Sequence, residues 1–121
     1  MDINRAFAGL GGLFGAAGIA AYAVAAHSTS GHMATIAPIL SIHAPTFLAL
    51  ALIARVSKAA YFGGLVLVVG LMFFIGDLAS RDYLGDRLFA FAAPLGGSLL
   101  ILGWLIVATT ALRGLDFKSP G

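Results

Sequence analysis

Residues 59–79 read AAYFGGLVLVVGLMFFIGDLA, and this stretch decides the fold. It holds a single charged residue, Asp77, near its far end. An α-helix rises about 1.5 Å per residue, so about 20 apolar residues cross a hydrocarbon layer about 30 Å thick. Working outward, three further runs meet the same requirement. Residues 33–54 are closed by Arg55, and residues 88–112 are closed by Arg113. Residues 6–26 lie between Arg5 and the polar stretch His27-Ser28-Thr29-Ser30-Gly31-His32. The connections are short, which makes consecutive helices antiparallel neighbours. The expected fold is an all-α integral membrane protein, four transmembrane helices in one antiparallel bundle, with residues 1–121 as a single domain. The polar tail, residues 116–121, is expected to fray.

Composition agrees. The 121 residues are 60% hydrophobic and 10% charged, with a mean hydropathy of +1.01. Soluble domains carry about 25% charged residues. So few charges cannot coat a water-facing surface without leaving large apolar patches. Cysteine is absent, which excludes a disulfide framework, a thiolate zinc site and a thiolate-held iron–sulfur cluster. The net charge of +2 comes without a basic cluster, so no nucleic-acid partner is expected. Arg5 and Ala23-Val24-Ala25 resemble parts of a cleaved signal peptide. The first apolar run, about 21 residues, exceeds the roughly 7–15 of a signal-peptide core, so it is read as a retained helix.

Lysine and arginine in short loops set orientation. Arg5, Arg55, Lys58, Arg113 and Lys118 fall on one side, and only Arg81 and Arg87 on the other. The expectation is a multi-pass protein of the bacterial inner (plasma) membrane with both termini cytoplasmic. His27, His32, His43, Asp77, Asp82 and Asp86 then belong to the outer half.

Lipid tails are as apolar as leucine, so small residues that admit close backbone approach drive membrane helices together. Gly11, Gly15 and Gly18 form one stripe on the first helix, extended by Ala8, Tyr22 and Ala25. This face could meet another helix of the chain, a second copy or a larger membrane complex. Gly63, Gly70 and Asp77 share a face of the third helix at heptad spacing, as do Gly96 and Gly103 on the fourth. Pro38 and Pro45 remove two donors from the second helix and free the carbonyls of Ala34 and Ser41. A bend or irregularity is expected around Ser41 to Pro45. His43 lies in that stretch, about 15 Å deep at about 1.5 Å per residue, on an arc with Thr35 and Thr46. Gly11-Gly12 and Gly63-Gly64, with Ala44-Pro45 and Ala93-Pro94, recur at nearly equal offsets. A doubled α-hairpin would produce this, and so would chance among glycine-rich helices.

Several segments match a known pattern. The first run ends Ala21-Tyr22-Ala23-Val24-Ala25-Ala26-His27. The second carries Ile42-His43-Ala44-Pro45-Thr46-Phe47-Leu48-Ala49-Leu50, the third Gly76-Asp77-Leu78, and the fourth Pro94-Leu95-Gly96-Gly97 followed by Gly103-Trp104. Across nearly its whole length the chain resembles the family of small inner-membrane proteins called domain of unknown function 423, of the YgdD type. The fourth-helix motif is the most specific. Tyr22 and neighbouring residues replace the usual glycine and phenylalanine, and Pro45 and Asp77 depart from the pattern. The resemblance implies a four-helix plasma-membrane protein and supplies no reaction, ligand or catalytic residue.

Ionisable groups inside a bilayer are costly and are functional candidates by default. His43 could relay protons, bind a ligand or coordinate haem or another metal. The plainer reading is that its ring hydrogen-bonds across helices or to a freed carbonyl and holds the bend. Asp77 could be a proton or cation site beside Tyr22. Alternatively it accepts hydrogen bonds from loop groups or pairs with Arg81, four residues on. His43, Asp77, Thr46 and Tyr22 therefore make the candidate polar site. His27 and His32, with Asp82 and Asp86, are weak metal candidates, since their spacing fits no strong motif. Asp82 and Asp86 read more simply as a solvated turn. Tyr22, Tyr61, Tyr83 and Trp104 are interface or packing aromatics. Met72, Phe73, Phe74, Phe89 and Phe91 read as apolar surface. No catalytic motif and no cofactor are expected. The leading expectation is a non-enzymatic accessory, assembly or scaffold component. The alternatives are a small oligomeric transporter or channel using the His43/Asp77 region, and a haem- or metal-binding subunit, for which a second buried histidine is missing.

Overall fold

The computed structural model describes residues 2–117, so Met1, Lys118 and the last three residues of the polar tail lie outside the described residues. Four helices appear in order: α1 (Ile3–Ala26), α2 (Met33–Ile53), α3 (Lys58–Leu84) and α4 (Ala92–Ala108), followed by a 3₁₀ turn at Thr109–Leu112. All four apolar segments are long and apolar enough to cross a membrane, α4 together with its 3₁₀ turn. Large apolar side chains in mid-helix face outward, among them Leu13 (68% exposed), Ile19 (73%) and Met72 (67%). Lipid is the solvent that accepts such a surface.

Helix ends depart most from the expected spans at the end of α3 and the start of α4, for local reasons. α3 continues past Ala79 through Leu84 and stops at Gly85, whose φ of 75° is the left-handed conformation that ends helices. At 27 residues, about 40 Å at about 1.5 Å each, it outruns the hydrocarbon layer. Its start is capped by Ser57, whose Oγ accepts from the Ala60 amide at 3.2 Å. α4 begins at Ala92 rather than residue 88. The Leu88 amide is held by Asp77 outside any helix, and Pro94 falls in the first turn, where its missing N–H removes nothing. α2 remains α-helical through both Pro38 and Pro45, so the two missing donors do not end the helix.

The glycine stripes set the distances between helices. A Cβ on Gly18 would lie 2.6 Å from Ser41 Oγ, and one on Gly11 2.9 Å from the Ala44 carbonyl oxygen. The stripe of Gly11, Gly15 and Gly18 is therefore filled by α2 of the same chain. Of the occupants the sequence left open, the one seen on this stripe is another helix of the same chain. In the second hairpin a Cβ on Gly70 would stand 3.0 Å from the Gly96 carbonyl oxygen, while Gly63 and Gly103 admit Val107 and Leu67. The chain thus forms two tight antiparallel hairpins, α1–α2 and α3–α4, joined more sparsely between α2 and α3. Their registers differ. Gly11 faces Ala44 in mid-helix, whereas Gly63 faces Gly103 and Val107, at the opposite end of α4 from Ala93-Pro94. The repeated dipeptides do not occupy equivalent places.

Two apolar clusters lock the hairpins together. One, around Phe7, Phe47, Leu50, Leu67 and Leu71, sits toward the end carrying the start of α1, the α2–α3 turn and the 3₁₀ turn, here called the terminal end. Phe7 lies against Gly64 of α3 and meets Phe47 edge-on at 5.3 Å between ring centres. The other, around Ile36, Ala37, Leu40 and Leu78, sits toward the hairpin end, where residues 27–32 and 85–91 connect the helices.

Candidate functional site

In lipid an unpaired donor or acceptor has no water to turn to, so each intramembrane polar side chain must find a partner within the protein. His43 is 3% exposed. Its Nδ1 lies 2.7 Å from the Ile39 carbonyl oxygen, one turn back on α2. Its Nε2 lies 3.1 Å from Trp104 Nε1 of α4. A carbonyl only accepts and an indole N–H only donates, so the neighbours fix the tautomer. Nδ1–H donates to Ile39, and the Nε2 lone pair accepts from Trp104. Neither nitrogen is left for an iron or another metal. The bond crosses from one hairpin to the other, as the plainer reading of His43 required, but its carbonyl partner is Ile39, not a carbonyl freed by proline.

Thr46 does not join His43 in a polar lining: its hydroxyl donates to the Ile42 carbonyl at 2.8 Å. Thr35 is exposed. The expected arc does not form a shared polar lining: His43 and Thr46 are each satisfied separately. Trp104, read from sequence as a packing aromatic, is the partner that reading missed. Its signal is chemical: a donor-only indole buried in lipid needs an acceptor, and no spacing rule connects it to a residue 61 positions away.

Asp77 is fully buried. Oδ2 accepts from Arg81 Nη2 at 2.6 Å, and Oδ1 accepts from the Leu88 amide at 2.9 Å. Loop group and arginine both bind it. Tyr22 is half exposed on α1 and makes no hydrogen bond to Asp77 among the described residues. Arg81 Nε is a buried donor without a partner among the described residues.

The end of α3 holds both hairpin loops. Asp82, expected in a solvated turn, lies in the helix with its side chain 12% exposed. Its Oδ2 takes the His32 amide at 2.7 Å and its Oδ1 meets His32 Nδ1 at 2.6 Å. Gly31 fits beneath this pair at φ 84°, where a Cβ would come within 2.9 Å of Oδ2. Ser80 donates to the Asp86 carbonyl at 2.7 Å. Asp77, Ser80 and Asp82 thus tie residues 86, 88 and 32 to one helix. The sequence offered no signal for Ser80.

The weak metal candidates separate. His27 turns back on α1, with Nδ1 2.8 Å from the Ala23 carbonyl oxygen. Asp86 accepts the Arg87 amide. Only His32 and Asp82 come together, and no group of three metal-ligating side chains forms among the described residues. Beside them opens a cavity of about 430 Å³ lined by Ser28, Ser30, Arg81 and Asp82. An apolar groove of about 320 Å³ between α1, α2 and α3 shares Val24, Met33 and Tyr83 with it.

No family model matches the chain, and no solved structure matches it.

Proposed function

We propose that this chain is a non-enzymatic accessory or assembly component of the bacterial inner membrane, acting through its lipid-facing helix surfaces. One observation carries the reading. Both ionisable side chains deep in the bundle have every acceptor committed internally, His43 to Trp104 and Asp77 to Arg81 and Leu88. Such a bundle holds shape rather than turning over a substrate. Arg5, Arg55, Lys58 and Arg113 support an orientation with both termini cytoplasmic. Membership of the domain of unknown function 423 family is supported by the Pro94-Leu95-Gly96-Gly97 and Gly103-Trp104 segments. Gly96 and Gly103 face α3 there, and Trp104 meets His43.

The transporter reading needs a water path to His43, and a residue 3% exposed with both ring nitrogens engaged gives it no support. The haem reading needs a free imidazole lone pair. Photo-crosslinkers placed at Leu13, Ile19, Ile101 and Leu105, in native membranes, separate these functions. The accessory role predicts discrete protein adducts along one helix face. Lipid adducts alone at all four positions, together with proteoliposome flux that His43→Ala abolishes, would overturn it.

A further inference from the structure

The chain's cations are not evenly used. Arg81 is ion-paired with Asp77, and His32 is hydrogen-bonded to Asp82, both at the hairpin end. At the terminal end a cavity of about 590 Å³ opens between the α2–α3 turn and the 3₁₀ turn. Ser57, Lys58, Thr110 and Arg113 line it. A second cavity, about 500 Å³, shares Val56, Ser57 and Lys58 with the first and adds Arg55 and Tyr61. The two adjoin along Val56, Ser57 and Lys58 and are together called the trench. Three cations line it and no acidic residue does.

Its position matters as much as its charge. Arg55 and Arg113 close apolar runs, so the trench lies where the hydrocarbon ends and phospholipid phosphates begin. Exposed Phe62 and Leu112 flank it as apolar walls, and Tyr61 is an aromatic suited to the interface. Lys58 and Ala59 begin α3, where first-turn amides lack intrahelical acceptors and favour an anion. Basic pockets between transmembrane helices at a membrane face suit anionic head groups.

We propose that this trench is a binding site for the head group of an anionic phospholipid, with Arg55, Lys58 and Arg113 contacting its phosphate oxygens. The site joins the α2–α3 turn to the end of α4, so a bound lipid would tie these two segments together.

Native mass spectrometry of the full chain in mild detergent, titrated with phosphatidylglycerol or phosphatidylcholine, tests this. The wild type should retain the anionic lipid roughly tenfold better, because each cation near a lipid surface contributes about fivefold in affinity before screening. The Arg55→Gln/Lys58→Gln/Arg113→Gln variant should lose the preference, and Arg87→Gln at the hairpin end should keep it. Raising salt should erode the wild-type preference, a readout that does not depend on the variant folding. A preference equal in wild type and triple variant, or one indifferent to salt, overturns the proposal. So does displacement of the lipid by inorganic phosphate at matched concentration, which would make the site one for a free anion.

Discussion

The two ends of this bundle treat charge in opposite ways. At the hairpin end Asp77, Arg81, Asp82 and His32 are paired with one another, and Asp77 and Asp82 also grip loop amides. At the terminal end Arg55, Lys58 and Arg113 line a trench that contains no acid. The difference follows from what each end must do. α3 outruns the hydrocarbon layer, so its last turns can carry polar side chains and use them to hold both loops. The terminal end has a short turn capped by Ser57, and its loop needs no such anchor. Charge ties loops to a helix at one end and lines open cavities at the other.

Substitutions at five positions, read by unfolding in mild detergent, test that contrast. The largest effect is expected from Asp77→Ala, which strands the Arg81 guanidinium and leaves the Leu88 amide unsatisfied. The amide alone costs about 1–3 kcal/mol. Asp77→Asn, which keeps an acceptor for Leu88, should recover part of the loss. If Asp77→Ala unfolds like wild type, the hairpin end is not held as described. Trp104→Phe comes next. It removes the donor to His43 and should lower stability by about 0.5–2 kcal/mol, the range of single hydrogen bonds between membrane helices. His43→Ala combined with Trp104→Phe should then be less than additive, because the pair acts as one unit.

Asp82→Asn is smaller, about 0.5–1 kcal/mol, since His32 is more than one-third exposed and its attraction is screened. Its clearer signature is faster amide exchange at His32, with the α2 core unchanged. The smallest effect is Arg113→Gln, within about 0.5 kcal/mol in lipid-free detergent. A large loss there would mean that terminal charges are structural too, and the contrast between the ends would fail.

Much of the architecture was legible. The four apolar runs gave four helices, and the glycine spacings named the faces that meet. Helix limits were less legible, because hydropathy reports where lipid ends rather than where hydrogen bonding ends. α3 runs on through Ser80-Arg81-Asp82, a triplet that reads as a loop, since Ser80 and Asp82 have partners in the adjoining loops and Arg81 pairs with Asp77 one turn back. Pro38 and Pro45 read as the site of a bend or irregularity, and α2 stays helical through both while packing against the α1 glycines.

For the site, the sequence marked His43 and Asp77 as the polar residues most expensive to bury, and it foresaw Arg81 as a partner because four residues make one helical turn. It could not name Trp104, Leu88 or His32 as partners. Their pairings span 61, 11 and 50 positions and depend on the registers of the hairpins. The same limit applies to the cations. By itself the sequence determined that Arg55, Lys58 and Arg113 fall at one end of the bundle, because apolar runs joined by short loops return the chain to the same end after every second helix. Only the tertiary structure decided that they line one trench, because bringing Arg113 to the α2–α3 turn requires α3 and α4 to pack at the distance their glycines allow.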